Sequence, residues 1–227
     1  GNPTSIGITA PLNSPAPSGK HIVYFGYATS ETNQLFDAMS QGSTALGWTT
    51  SLVDRGFGDV AETRQKLSAV IAQHPDGIAI SGLSVADFGD LFLEAEKSGI
   101  AMICDACTDA PYGAVKDTHV TGPKDFDLWG KLIAAFTATA LSELPRVEMF
   151  GYSNYAVLRQ FDNSFMANLP RFAPGASMAF TQLDFANGDL RTQVTDRYLA
   201  NPGTNMLIVD LGDIFIGVPQ ALTNVGA

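Results

Sequence analysis

The sequence is poor in cysteine and histidine, the side chains that most often hold structural zinc. Cys104 and Cys107 form a single C-D-A-C motif, and the three histidines lie far apart along the chain. A structural zinc site needs four ligands, so this motif alone cannot form one. A local disulfide and two free thiols both remain open. A redox role is disfavoured, because Asp105 and Asp109 would oppose formation of a thiolate.

Positive charge is also scarce. The chain has 13 lysines and arginines against 23 aspartates and glutamates, which gives a formal net charge of −10. A protein that binds duplex nucleic acid concentrates its cations on one face. No cluster of Lys or Arg occurs in this sequence, and we therefore do not expect nucleic acid as a partner.

Long hydrophobic runs are missing. The longest weakly polar stretch, 132–141, is about half of the ~20 residues that cross a bilayer. The run 206–218 is interrupted by Asp210 and Asp213. Residues 1–18 lack the charged and apolar regions of a signal peptide, as would a chain from which a leader has been removed. The sequence thus predicts no membrane-spanning segment.

Common catalytic motifs are absent as well. There is no G-x-x-x-x-G-K-[ST] loop to hold the phosphates of a nucleotide. The segment 151–155 resembles a nucleophile elbow, but Tyr155 stands where that strained turn needs glycine. Nothing in the pattern pairs Asp105 with Asp109 as an acid and a base. We therefore expect a protein that is not an enzyme and carries no cofactor.

What the sequence does contain is an alternation of short apolar runs and helical stretches. Strands are predicted at 21–27, 49–53, 77–80 and 100–104, and helices at 34–46, 61–73 and 85–97. Continuous apolar strands are typical of a parallel sheet that helices cover on both faces. The carboxyl ends of such strands lie at one edge, where open α/β sheets bind ligands.

A second series repeats this plan. Strands are predicted at 147–150, 177–183 and 206–209, and helices at 125–143, 155–168, 190–200 and 214–223. The organisation is therefore a Pro-rich extended arm at 1–19, an N-terminal α/β lobe at 20–123 and a C-terminal α/β lobe at 124–227, with a hinge near 118–124. The second lobe has fewer strands than the first, so we expect it to be incomplete and the natural chain to continue.

Several phrases occur along residues 20–227 in a characteristic order. They are NQLFDAMSQG at 33–42, ALGW at 45–48, HPDGIAI at 74–80, SGIAMI at 98–103, the pair Asp184-Phe185 and the ending 202–226. In this order they resemble the type I periplasmic binding proteins of the ribose-binding and LacI-like group. The sugar-binding proteins of actinobacterial ABC transporters are particularly similar.

The resemblance implies two doubly wound parallel-sheet lobes that close on a ligand about a hinge, the second lobe being truncated. It implies an extracytoplasmic solute-binding protein of an ABC importer, a monomer tethered as a lipoprotein. Its partners would be a sugar, polyol or small aromatic ligand and a membrane permease. The alternative is the effector-binding domain of a LacI-type transcription regulator, which would need a DNA-binding segment before residue 18.

The resemblance also suggests individual ligand contacts. Asn33 matches a polar residue that binds a sugar hydroxyl, and Phe36 matches one of two aromatics that stack on the sugar ring. The position of the second aromatic is occupied by Leu35. Phe185 matches an aromatic of the second lobe. Asp105 lies within one residue of a family aspartate, whose carboxylate would accept charge-assisted hydrogen bonds.

Two departures from the family pattern affect the ligand. The family's Asn-Asp pair falls on 211–212, which are Leu and Gly, so that only Asp210 and Asp213 flank it. The family's second-lobe arginine falls at Phe161, with Arg159 two residues away. Both changes replace polar groups by apolar ones, which favours a less hydroxylated or an aromatic ligand.

The predicted ligand-binding residues are Tyr27, Asn33, Phe36, Gly82, Asp105, Tyr155, Arg159, Phe161, Phe185, Asp210 and Asp213. Structural alternatives exist for several of them. Asn33 would serve as a helix N-cap and Asp213 as the cap of the last helix. Phe36 would equally fit a core position, and Arg159 a solvated helix face. Trp48 is interpreted as a packing residue.

Overall fold

The computed structural model describes residues 13–27, 29–56, 59–107, 109–119, 121–183 and 189–226, and of residues 31 and 117–119 only the backbone. The first lobe contains β1 (His21–Gly26), α1 (Ser30–Ala45), β2 (Thr49–Asp54), α2 (Val60–Ile71), β3 (Gly77–Ser81), α3 (Val85–Lys97), β4 (Ala101–Asp105) and β5 (Val115–His119). The second lobe contains α4 (Pro123–Ala140), β6 (Arg146–Gly151), α5 (Ala156–Phe172), β7 (Ser177–Gln182), α6 (Leu190–Ala200), β8 (Met206–Val209), a 3₁₀ turn (Gly212–Phe215) and α7 (Val218–Asn224). These elements confirm the predicted α/β class.

Both sheets are parallel and doubly wound. The first has the strand order β2-β1-β3-β4-β5 and the second the order β7-β6-β8. The central strands are buried, as their continuous apolar sequences predict: Phe25, Ile78 and Phe150 are all almost completely inaccessible. Strand order reverses at β1 and β3 in the first sheet and at β6 in the second, and such switch points open a crevice at the carboxyl ends of the strands.

Strand β5 was not predicted. Its sequence, VKDTH, contains a single strongly apolar residue, so it lacks the apolar run that marks the central strands. It lies at the edge of the first sheet, where β4 is its neighbour among the described strands, and charged residues are common on such edges. The first lobe therefore has five strands and not four. The predicted hinge segment 118–124 includes the end of β5 and the start of α4; its role as a hinge stays a prediction.

Two of the helix starts that differ from prediction change the interpretation of a candidate site residue. Helix α1 begins at Ser30 and not at residue 34, because the Thr29 hydroxyl accepts a hydrogen bond from the Thr32 amide and caps the helix. Asn33 is therefore inside the helix, and its interpretation as the N-cap was wrong. The predicted helix 214–223 is split by Gly217, which has a φ of 79° and is the N-cap of α7. Asp213 consequently does not cap that helix.

Cys104 and Cys107 form a disulfide, which decides between the two alternatives left open by the sequence. The bridge encloses Asp105 and Ala106 at the carboxyl end of β4. Ala106 has a φ of 54°, a conformation that costs energy for any residue with a Cβ. Among the described helices, none combines the length and the apolar composition of a membrane-spanning segment.

Candidate functional site

The carboxyl ends of the two sheets enclose a cavity of about 710 Å³ between the lobes, which we call the cleft. The first lobe contributes residues that follow β1, β3 and β4, together with one face of α1. The second lobe contributes residues from α4 and α5 and those that follow β8. The cleft thus lies at the switch points of both sheets, where the fold places ligands in doubly wound proteins.

Aromatic side chains form much of the wall of the cleft. They are Tyr24, Tyr27, Phe126, Trp129, Tyr155 and Phe161. Tyr27 of the first lobe meets Tyr155 of the second edge to face, with ring centroids 5.9 Å apart. Phe126 and Trp129 pack together at 5.0 Å on α4. These rings give the cleft a largely apolar surface that is shared between the lobes.

Asp210 supplies a hydrogen-bond acceptor at the second-lobe side of the cleft. Its Oδ2 accepts a hydrogen bond from the Tyr152 amide at 2.6 Å, whereas its buried Oδ1 has no partner among the described residues. The pKa of Asp210 is raised to about 7, mainly by burial and to a smaller extent by the charge of Asp162, while the hydrogen bond from the Tyr152 amide opposes the rise. A Cβ on Gly151 would lie 2.7 Å from Oδ2 of Asp210, which explains the glycine at the end of β6.

Asp162 lies behind Asp210 and is completely buried. Its Oδ2 accepts a hydrogen bond from the Ser153 hydroxyl at 3.0 Å, and its Oδ1 has no partner in the described part of the chain. Burial raises the pKa of Asp162 to about 6, and the bond from Ser153 opposes the rise. The two carboxyls form a pair in which ionisation of either one disfavours that of the other.

Asp105 is the acceptor on the first-lobe side. The Thr121 hydroxyl donates to its Oδ1 at 2.6 Å and accepts from the Ala106 amide at 3.1 Å. The Asp105 carbonyl accepts a hydrogen bond from the Gly82 amide at 3.0 Å, and Gly82 has the left-handed φ of 65°. The disulfide beside Asp105 restrains the same loop, so the carboxylate is held in a fixed position.

The structure brings most of the predicted site residues together. The cleft is lined by Tyr27, Gly82, Asp105, Tyr155, Phe161, Asp210 and Asp213. Arg159 lines a smaller cavity of about 380 Å³ next to the cleft, where it is exposed and donates to the Ser153 carbonyl at 2.8 Å. Phe185 lies outside the described residues.

Asn33 and Phe36 line neither cavity. The face of α1 that reaches the cleft carries Thr32 and Leu35, because residues three apart share one side of a helix. Asn33 and Phe36 are each one position further along the chain and point elsewhere: Asn33 is exposed and Phe36 half-buried. That either residue contacts a ligand remains a prediction.

Several lining residues were not predicted. Thr121, Phe126 and Trp129 line the cleft from the start of the second lobe, in or next to a segment that the sequence suggested only as a hinge and a helix. Arg55 lines the smaller cavity, with its guanidinium carbon 3.7 Å from the centre of the Tyr27 ring. The available signal was its position, because Arg55 directly follows strand β2 at the ligand-binding edge of the sheet.

Comparison with known proteins supports the fold. No protein-family model matches the sequence, and no curated protein matches it. Solved structures do. An ABC transporter solute-binding protein from Mycobacterium smegmatis with bound glycerol is 18% identical with a TM-score of 0.73, over 92% of this chain and 72% of that one.

Two further solved structures give the same result. A galactofuranose-binding protein is 20% identical with a TM-score of 0.73, over 90% of this chain and 71% of that one. A periplasmic ribose ABC transporter protein from Conexibacter woesei is 16% identical with a TM-score of 0.67, over 92% and 70%. The predicted fold is thereby confirmed: the chain has the two-lobed α/β fold of the type I periplasmic binding proteins.

Proposed function

We propose that this protein is an extracytoplasmic solute-binding protein of an ABC importer and that it binds a sugar or a polyol in the cleft. The observation that carries the proposal is the combination, in one cavity, of an aromatic wall shared by two lobes and carboxylates contributed by both. The volume of about 710 Å³ lies within the usual range of small-molecule sites, ~300–1,000 Å³.

The chemistry of the wall suits a sugar. A sugar ring has apolar C–H faces, which pack on aromatic rings such as those of Tyr27 and Trp129. Its hydroxyl groups need acceptors, and carboxylates make the stronger, charge-assisted hydrogen bonds. Asp105 lies on one side of the cleft and Asp210 on the other, and Oδ1 of Asp210 has no partner among the described residues. A ligand hydroxyl would satisfy that oxygen.

The structural neighbours point to the same ligand class. Those with named ligands include solute-binding proteins with bound allitol, alpha-D-tagatopyranose and D-allose. In the proposed function, contacts from both lobes favour a closed state by their differential affinity for it. The closed form, acting as a monomeric lipoprotein, would then dock on a membrane permease.

Tryptophan fluorescence offers a direct test. The chain has two tryptophans: Trp129 lines the cleft, whereas Trp48 directly precedes β2 at the opposite edge of the sheet. We expect a panel of monosaccharides and polyols to contain at least one compound that changes the fluorescence saturably. Trp129→Phe should abolish this change, and Trp48→Phe should leave it intact. Wild-type protein that melts cooperatively but responds to no sugar or polyol would contradict the proposal.

The role of Asp210 can be tested with the same compound at pH 8, where its carboxyl is ionised. Asp210→Asn should weaken binding by about tenfold to a hundredfold, the usual effect of losing a hydrogen bond to a charged acceptor. Asp196→Asn is the matched control, because Asp196 is exposed on α6 and should bind normally. Equal affinities of the two variants would remove Asp210 from the site.

A further inference from the structure

The smaller cavity lies beside the cleft and shares part of its wall. Its volume is about 380 Å³, and Tyr27, Gly82 and Tyr155 line both spaces. One ligand can therefore occupy the cleft and extend a substituent into the smaller cavity. The question is which substituent the smaller cavity fits, and its most unusual lining residue is Arg55.

The Arg55 side chain is a buried cation with no counter-ion among the described residues. It is only 4% exposed, and its Nε has no hydrogen-bond partner among the described residues. None of the ion pairs between described residues includes it. The guanidinium carbon lies 3.7 Å from the centre of the Tyr27 ring, so the cation is held over an aromatic face.

Arg55 remains charged in this environment. Burial lowers the pKa of its guanidinium to about 10, and the nearby Tyr155 and Tyr24 side chains oppose the decrease. At neutral pH the cavity thus contains a full positive charge that has lost most of its hydration. A buried charge is stable only when an opposite charge or several hydrogen bonds compensate it, and the described residues supply little of either.

The other charged groups of the smaller cavity do not neutralise Arg55. Arg159 adds a second cation. Asp87 is the lining carboxylate, but it is exposed and accepts a hydrogen bond from the Ser84 hydroxyl at 2.7 Å. The start of α3 also lines the cavity, and Ser84 and Asp109 already accept hydrogen bonds from its first amides. Arg55 therefore dominates the electrostatics of this space.

We propose that the smaller cavity is an oxyanion subsite, in which a carboxylate or phosphate group attached to the sugar pairs with the guanidinium of Arg55. The inference deepens the proposed function and rests on it, because the sugar ring itself would lie in the cleft. Guanidinium groups bind both oxyanions through two parallel N–H···O hydrogen bonds. The preferred ligand would then be an acidic sugar derivative.

The test compares neutral sugars with acidic counterparts by calorimetry and thermal shift. Suitable pairs are galactose with galacturonate, gluconate with glucitol, and ribose with ribose 5-phosphate. In at least one pair the acid should bind about tenfold to a hundredfold tighter, the range for a desolvated charge-assisted pair. If the sugar acids bind more tightly than their neutral counterparts, the oxyanion is a carboxylate. If ribose 5-phosphate does so, it is a phosphate.

Variants then assign the effect to Arg55. Arg55→Met should remove the preference for the acid while the neutral sugar keeps its affinity, and it should fold, because it eliminates an unpaired buried charge. Arg55→Lys keeps the charge but loses the planar fork, so it should retain only part of the preference. Arg171→Met, at an exposed position on α5, is the matched control with the same change in net charge and should behave as the wild type.

Failure of this inference is distinguishable from failure of the proposed function. Neutral sugars that bind as tightly as all their acids, or an acid preference that survives in Arg55→Met, would overturn the oxyanion subsite and leave sugar binding intact. If no sugar binds, neutral or acidic, the proposed function fails. Inorganic phosphate, compared with chloride at equal ionic strength, then tests the subsite alone: it should raise the melting temperature of the wild type but not of Arg55→Met, and equal shifts would overturn the subsite.

Discussion

Asp162 should make the stability of this protein depend on pH in a way that one substitution removes. The side chain is completely buried, and the pKa of its carboxyl is raised by that burial from 3.8 to about 6. The folded protein therefore holds this proton more tightly than the unfolded chain does. Stability from this group is fully present below pH 3.8 and is lost as the pH rises through about 6.

The size of the effect follows from the same values. A pKa difference of about two units corresponds to about 3 kcal/mol of unfolding free energy. About half of this stabilisation is already lost by pH 5, and residual solvent near the pair reduces the part that is lost between pH 5 and pH 8. We therefore expect about 1 kcal/mol between pH 5 and pH 8, which is a melting-temperature difference of about 2–4 °C for a chain of this length. Asp162→Asn carries no charge at either pH, and its amide oxygen still accepts the hydrogen bond from Ser153.

The assay is thermal unfolding of the wild type and Asp162→Asn at pH 5 and pH 8. The melting temperature of Asp162→Asn minus that of the wild type should be about 2–4 °C higher at pH 8 than at pH 5. Asp196→Asn is the control and should show no such increase. Loss of the Asp162 charge should also lower the pKa of Asp210. A relative melting temperature of Asp162→Asn that is the same at pH 5 and pH 8 would refute the account of the buried pair.

Two further predictions concern packing and an ion pair whose carboxylate is buried. A Cβ at Gly130 would lie 2.5–2.9 Å from backbone atoms of α5, so Gly130→Ala should lower stability by about 1–3 kcal/mol; Gly42→Ala, in open space on α1, should instead raise it by up to ~1 kcal/mol. Glu148 is 2% exposed and accepts a hydrogen bond from Nε of the exposed Arg197 at 2.8 Å, so chemical denaturation should show Arg197→Ala to be destabilised by about 1–3 kcal/mol, the cost of leaving a buried acceptor with fewer partners. Arg171→Ala should differ little from the wild type, and similar midpoints for the two arginine variants would contradict this assignment.

The order of the elements could be predicted because most central strands are short, mainly apolar runs that alternate with helical stretches. That pattern depends only on neighbouring residues, and it gave the bounds of α3, α6 and β8 without error. Strand β5 could not be predicted in this way because it forms by pairing with β4, which is distant information for a local pattern. It also lies at a sheet edge, where a strand does not need an apolar sequence. The start of α1 was misplaced because the cap, Thr29, is followed by four polar residues, 30–33, whose composition is also typical of a loop.

The part of the candidate site that could be predicted consists of residues at the carboxyl ends of strands. Tyr27, Asp105 and Asp210 all lie within one residue of a strand's carboxyl end, and the geometry of parallel sheets brings such positions together whatever their distance in the sequence. Residues carried by helices were harder to predict. Whether Asn33 or its neighbour Leu35 reaches the cleft depends on the rotation of α1 about its axis, which its cap and packing decide and no local pattern reports.

Arg55 and Asp210 together define a direction across the two neighbouring cavities. Arg55 lines only the smaller cavity and Asp210 only the cleft, so a cation lies at one end of the space and a hydrogen-bond acceptor at the other. The net charge of −10 repels small anions from the surface, but salt screens exposed charges beyond about 8–10 Å. Recognition of an anionic group must therefore arise from contact with Arg55 itself. A sugar with one acidic substituent would accordingly bind in a single orientation, its acid on Arg55 and its hydroxyls toward Asp210, whereas a neutral sugar has no such constraint.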